Sequence, residues 1–201
     1  MRSFARRRIC EGKRSEIHRI DYIQSDGKCW IETGVLNKNA KIEMKFTFSD
    51  DNTTDCLWCS RLNIDTSSFT AFIVGKKLRF DYGGEKTLLS DITDNTCYVV
   101  MADGANIYVN GNLLHTATQP TSFTYDNIIL LDSKSNSSQV VPSLAPNNNA
   151  NIKLHYCKIW SGGALVRDFV PVLNRAGDAG LFDLVNQGYY MSPNNAKFRY
   201  G

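Results

Sequence analysis

Residues 40–48 read A-K-I-E-M-K-F-T-F, with Ile42, Met44, Phe46 and Phe48 at every second position and Lys41, Glu43, Lys45 and Thr47 between them. A side-chain period of two belongs to a β-strand with one buried and one wet face. Short segments of this kind recur along the chain, separated by Gly, Asn, Asp and Pro, and helical periodicity is almost absent. The pattern predicts an all-β fold of antiparallel strands in a two-sheet sandwich.

Further strands are expected at 56–61, 69–74 and 77–82, with a tight turn at Gly75-Lys76 and an end at Gly83-Gly84. Asn110-Gly111 sits between strand-like Ile107-Tyr108-Val109 and Leu113-Leu114. That dipeptide suits the two φ > 0 positions of a type I′ turn and predicts a hairpin. Residues 97–102, turned by Asp103-Gly104, add a third antiparallel strand. Residues 133–150 are rich in Ser, Asn and Pro, a long loop of the kind that carries function. In 151–160, strict alternation places Ile152, Leu154, Tyr156, Lys158 and Trp160 on one face, and Lys153, His155, Cys157 and Ile159 on the other. Another strand follows over 165–173. Residues 180–185 read as a short helical turn or strand, and the remainder as a closing hairpin.

The length of 201 residues and the hydrophobic share of 42% suit one sandwich with a full core. No run of about 18 apolar residues occurs, so no helical membrane span is expected. The net charge of +3 is unevenly placed. Residues 1–20 carry +5, from Arg2, Arg6, Arg7, Arg8, Lys13, Arg14 and Arg19 against Glu11 and Glu16, which leaves the rest at −2. The apolar stretches there are too short for a secretory h-region of roughly 7–15 residues. This basic arm, residues 1–19, is expected to be either a solvated tail or an anchor on an acidic partner.

Without a secretory signal the six cysteines are expected as reduced thiols. Cys56 and Cys59 have C-x-x-C spacing, but no second close pair completes a zinc set, and three residues apart on a strand they should face opposite sides.

Three segments resemble a concanavalin A-like or laminin-G-like jelly-roll module of the kind found in phage proteins and surface proteins of gut bacteria. They are Tyr22-Ile23-Gln24-Ser25-Asp26-Gly27 continuing to Trp30-Ile31-Glu32-Thr33-Gly34; Ile107-Tyr108-Val109-Asn110-Gly111; and Lys158-Ile159-Trp160 with residues 165–172 and Gly180-Leu181-Phe182-Asp183. The resemblance spans about residues 20–201. It implies two curved antiparallel sheets and carbohydrate or protein ligands on a concave face or edge loops.

A glycosidase of such a fold needs paired carboxylates, about 5–5.5 Å apart for retaining chemistry. On a strand such a pair would sit at i and i+2 or i+4, commonly in an E-x-D-x-x-E-type cluster, and no such cluster is present; Glu43 stands between lysines, and Asp81 has no acidic strand neighbour. A G-x-S-x-G elbow, a Walker loop and a metal-like histidine spacing are all missing. His18, His115 and His155 read as surface or strand-packing residues. The chain is therefore expected to be non-enzymatic and to need no cofactor. Calcium, through Asp50, Asp51 and Asp55 or Asp103 with Asn106, is the alternative. A sugar site would use an aromatic platform. Among Trp30, Trp58, Trp160, Tyr82 and Tyr108, the candidates chosen are Tyr82, Trp58 and Tyr108, with Tyr82 first because Gly83-Gly84 can expose its ring. Arg167 and Asp168 are read as a structural ion pair holding the last strands.

Three functions follow as expectations. The first is a structural or decoration protein on a virion surface, displaying the sandwich for adhesion and anchored by the arm to other subunits. The second is a lectin-like module at a bacterial cell surface. The third, least favoured, is a glycoside hydrolase. Nucleic-acid binding is not expected, since the body lacks basic stripes.

Overall fold

The computed structural model describes residues 17–25, 27–49, 54–63, 66–133 and 152–201. Within them the regular elements are strands: β1 (His18–Arg19), β2 (Ile23–Gln24), β3 (Ile31–Leu36), β4 (Ala40–Phe48), β5 (Thr54–Asn63), β6 (Ser67–Val74), β7 (Lys77–Gly83), β8 (Glu85–Asp91), β9 (Cys97–Asp103), β10 (Asn106–Val109), β11 (Asn112–Thr116), β12 (Asn127–Leu130), β13 (Ile152–Ser161), β14 (Ala164–Leu173), β15 (Ala179–Asp183), β16 (Tyr189–Tyr190) and β17 (Arg199–Tyr200). All pairings are antiparallel. The larger sheet runs β11-β10-β9-β4-β13-β14-β15-β16, with β1 on β14 and β2 joining β13 to β17. The smaller runs β3-β12-β5-β6-β7-β8. The two form the expected β-sandwich.

The core fills the space between the sheets. β4 supplies Ile42, Met44, Phe46 and Phe48, all fully buried, while Lys41, Glu43, Lys45 and Thr47 lie on the outer face. Ile31, Trp58, Phe69, Ile73, Phe80 and Leu130 oppose them from the smaller sheet. Burying each large apolar side chain contributes roughly 1.5–3 kcal/mol. The Asn110-Gly111 turn has φ of 50° and 82°, as a type I′ hairpin requires, and β9, β10 and β11 pair in sequence.

Two bulges correct the expected side-chain faces. In β13 the register shifts between Leu154 and Tyr156, so the buried residues are Ile152, Leu154, Cys157 and Ile159. Tyr156, Lys158 and Trp160 therefore lie opposite Lys45, Glu43 and Lys41 on the outer face. In β5 the shift lies between Cys56 and Trp58. Leu57 and Trp58 both join the main core, and Cys56 and Cys59 share one outer cluster with Phe72 and Ile129. An inserted residue reverses the alternation beyond it. Both cysteines are buried as reduced thiols, outside any disulfide, and burial pushes the Cys56 thiol well above its ordinary range.

Other expectations also change. Of the two forms expected for residues 180–185, the strand is the one found: β15 is fully buried. The C-terminal hairpin is absent, because β16 pairs with β15 and β17 with β2. Strands β8 and β12 were not expected from the sequence. Arg167 does not pair with Asp168; its Nε lies 3.7 Å from Asp183 Oδ2, and it donates to Thr33 O at 2.9 Å. It still holds the last strands. His18 and Arg19, placed in the arm by sequence, pair with Leu173 and Val172. The arm residues Arg2, Arg6, Arg7, Arg8, Lys13 and Arg14, the acids Asp50 and Asp51, and the loop over 134–151 lie outside the described residues.

Candidate functional site

At one end of the sandwich a cavity of about 490 Å³ opens between the sheets. Three segments build it. The β3–β4 turn brings Asn37 and Asn39, the β9–β10 turn brings Asp103 and Gly104, and the β11–β12 connection supplies residues 119–123 and Tyr125. Phe69 and Tyr82 close it from the smaller sheet.

The aromatic residues form one continuous slab. Phe80 and Tyr82 stack with centroids 6.0 Å apart, Tyr82 meets Phe123 at 5.4 Å, and Phe123 stacks on Tyr125 at 5.7 Å. Phe80 is core, Tyr82 and Phe123 are half-buried, and Tyr125 is 43% exposed. The slab thus runs from the interior to the solvent. Lys38 Nζ caps the outer end, 5.7 Å from the Tyr125 centroid. Burial raises the Tyr82 phenol above its ordinary range, so its O–H stays protonated and donates to Gln119 Oε1 at 3.2 Å.

Polar side chains line the same cavity. Asn37 is 7% exposed and accepts from Asp126 N–H at 3.1 Å through Oδ1. That bond fixes the orientation of the amide, because Asp126 N–H needs an acceptor. Asn37 lines the cavity, and its Nδ2 is a buried donor with no acceptor. Leaving such a donor unmet costs about 1–3 kcal/mol. Asp103 is the carboxylate of the lining.

The connection that carries Gln119, Phe123 and Tyr125 is fastened at its start. Glu85 of β8 accepts from Thr118 N–H at 2.8 Å and meets His115 Nε2 of β11 at 2.6 Å. Those hydrogen bonds, Thr118 foremost and then His115, hold the Glu85 carboxyl at about 2 against its ordinary 4.5. Gly83 (φ 59°) admits the loop: a Cβ there would meet the Pro120 ring at 3.0 Å.

Of the three residues chosen from sequence, the structure brings Tyr82 to the cavity. Trp58 is a correction: the bulge in β5 turns it into the core, where it is fully buried against Phe69 and cannot present a ring face. Tyr108 is half-buried on the outer face of the larger sheet, opposite Met101 and Leu113. Trp160, weighed earlier, lies there too, beneath Lys41 at 5.0 Å. Sequence reasoning missed Phe123, Tyr125 and Asn37. The signal was Thr121-Ser122-Phe123-Thr124-Tyr125, aromatics two apart between polar residues outside any predicted strand.

Among the described residues, no group of three or more His, Cys, Asp or Glu side chains could hold a metal ion. Asp103 and Asn106 flank a turn, and Asn106 Oδ1 accepts from Thr116 Oγ1 at 2.7 Å.

No family profile matches the chain, and no curated protein matches its sequence. Solved structures do resemble it. A Bacteroides ovatus protein provisionally assigned to carbohydrate binding superposes with a TM-score of 0.57 at 9% identity, over 91% of this chain and 60% of that one. Carbohydrate binding module CBM66 of Bacillus subtilis gives a TM-score of 0.42 at 17% identity, over 69% and 84% of the two chains. A GlcNAcα1-4Gal-releasing endo-β-galactosidase of Clostridium perfringens gives 0.40 at 12% identity, over 84% and 58%. The first likeness establishes a shared β-sandwich fold, and this chain spans 60% of that protein's length.

Proposed function

We propose that the chain is a non-catalytic carbohydrate-binding module of the concanavalin A-like, laminin-G-like type, and that it holds a sugar in the 490 Å³ cavity. One observation carries the reading: a stack of aromatic rings ending at solvent-exposed Tyr125 lines the same open cavity as the polar side chains of Asn37, Asp103 and Gln119. A pyranose offers what these groups lack. Its C–H face packs on aromatic rings, and its hydroxyls both accept and donate. Asn37 Nδ2 would donate to a ring hydroxyl oxygen, and the Asp103 carboxylate would accept from one or two hydroxyls.

Hydrolysis is not part of the proposal. Both glycosidase mechanisms use two carboxyl groups across the scissile bond. Asp103 is the one carboxylate among the described residues that line this cavity. Display on a virion or a cell surface rests on the basic arm, which lies outside the described residues. The glycan reading rests on atoms within the sandwich and is adopted for that reason.

A glycan array probed with the chain, followed by calorimetric titration of the best hits, tests it. Binding with a micromolar to millimolar Kd, weakened severalfold or more in Asn37→Ala and in Tyr125→Ala, is the expected result. Wild-type binding that both substitutions leave intact would move the ligand elsewhere and sink the assignment.

A further inference from the structure

A second cavity, of about 270 Å³, lies on the other side of the segment that borders the first. The main cavity is lined by Asn37 and Tyr125, and the second by Gly34 and Asp126. Between these lining residues Asn37 N–H donates to Asp126 O at 3.0 Å and Asp126 N–H to Asn37 Oδ1 at 3.1 Å. A ligand spanning these residues would occupy both.

The second cavity has its own chemistry. Arg167 reaches across from β14, and two of its N–H groups are committed: Nε donates to Thr33 O at 2.9 Å and Nη1 to Val166 O at 2.7 Å. Its Nη2 stands at the cavity wall beside Gly34, where an added Cβ would sit 3.6 Å from it. The guanidinium is fixed from two further sides, by the fully buried Asp183 at 3.7 Å and by the Tyr190 ring at 5.9 Å. Glu32 lies exposed at the rim, Asp126 adds a second carboxylate, and Ile129 gives an apolar wall.

The charges decide which ligand fits. Asp183 neutralises Arg167, and the exposed Glu32 leaves the rim negative, so a carboxylate or sulfate is disfavoured. A neutral group that accepts from Arg167, donates to a carboxylate and carries a small apolar end matches every wall. We propose that this cavity receives the acetamido group of an N-acetylated sugar, whose neighbouring ring lies in the main cavity. The carbonyl accepts from Arg167 Nη2, the amide N–H donates to Glu32, and the methyl packs against Ile129 and Tyr190. This rests on the glycan reading, and it adds a second subsite and a sugar class.

Cellobiose and N,N′-diacetylchitobiose test it, because they share one β-1,4-linked backbone and differ by two acetamido groups. Each is titrated into the ¹⁵N-labelled chain while the backbone amide shifts are followed. The diacetylated sugar is expected to bind about tenfold more tightly, the gain of one or two hydrogen bonds. It should move the amides of Thr33, Gly34 and Asn127, whereas cellobiose should move Gly104, Gln119 and Phe123 alone. Arg167→Lys keeps the charge but loses the fork, and should cut the preference to about twofold. Glu32→Ala, at an exposed position, should cut it about threefold and carries the test if Arg167→Lys lowers the melting temperature.

Equal affinities, or shifts confined to the main cavity, would overturn the acetamido subsite and leave the glycan reading standing. Preference for an acidic disaccharide would also overturn it. Silence at both cavities with both sugars would overturn the two readings together.

Discussion

Tyr125 combines the two properties a sugar platform needs, a ring stacked on Phe123 and 43% of its surface open to solvent. Because it supports little of the core, Tyr125→Ala should weaken glycan binding about 5- to 30-fold, from roughly 1–2 kcal/mol of lost ring contact, at an unchanged melting temperature. Titration calorimetry paired with a thermal melt checks both halves. The opposite profile is expected at Asp81. Its carboxylate is fully buried and is gripped by Arg61 at 2.9 Å and by Arg79 at 2.7 and 2.8 Å. Both guanidinium groups also lie over the Phe72 ring, at 5.3 and 5.7 Å. Asp81→Ala leaves one nearly buried arginine without its acceptor. It should cost about 3–5 kcal/mol in urea denaturation while glycan affinity changes little. Sequence showed Asp81 only as an acid without an acidic neighbour. The two arginines that claim it come from β5 and from its own strand, and strand pairing alone brings Arg61 close.

Glu85 works at the level of elements, since it ties β8 of one sheet to β11 of the other and anchors the connection that follows. Its folded pKa of about 2 lies below the ordinary 4.5. The stabilisation is therefore complete above about 4.5 and is lost as pH falls from there through about 2. Glycan affinity should decline over the same window, and Glu85→Gln should be weaker near neutrality and flatter on acidification. A pH series of titrations on both proteins reads this directly; an acid profile shared by wild type and variant would detach Glu85 from the site. β8 was illegible beforehand because E-K-T-L-L-S-D lacks a clean alternation, and its residues are half-buried or exposed at an edge. β12 is four residues long, below the length at which a pattern declares itself. By contrast, β4 was plain because its alternation is unbroken, and the β9–β11 meander because Asp103-Gly104 and Asn110-Gly111 mark its turns. Bulges are the hard case. They arise from register with a partner strand, which a single segment does not record, and one of them sent Trp58 to the core and both thiols outward.

Across the whole molecule, sequence-distant segments close the sandwich. β17 pairs with β2, Asp21 and Tyr22 N–H groups donate to Gly201 O, and Phe198 is buried in the core. Removing residues 197–201 should lower stability by at least about 2–3 kcal/mol, the burial of Phe198 alone, as seen by thermal melting. The main cavity lies at the other end of β4 from that seam, and glycan affinity should persist at temperatures where the shortened chain stays folded. The cavity itself has walls from both layers: Asp103 and Gly104 belong to the larger sheet, Phe69 and Tyr82 to the smaller. A sugar seated there touches both and behaves as a rivet. Its occupancy would resist sliding of one layer over the other, and a module pulled between a surface and its tethered glycan would be held most firmly while the load is on it.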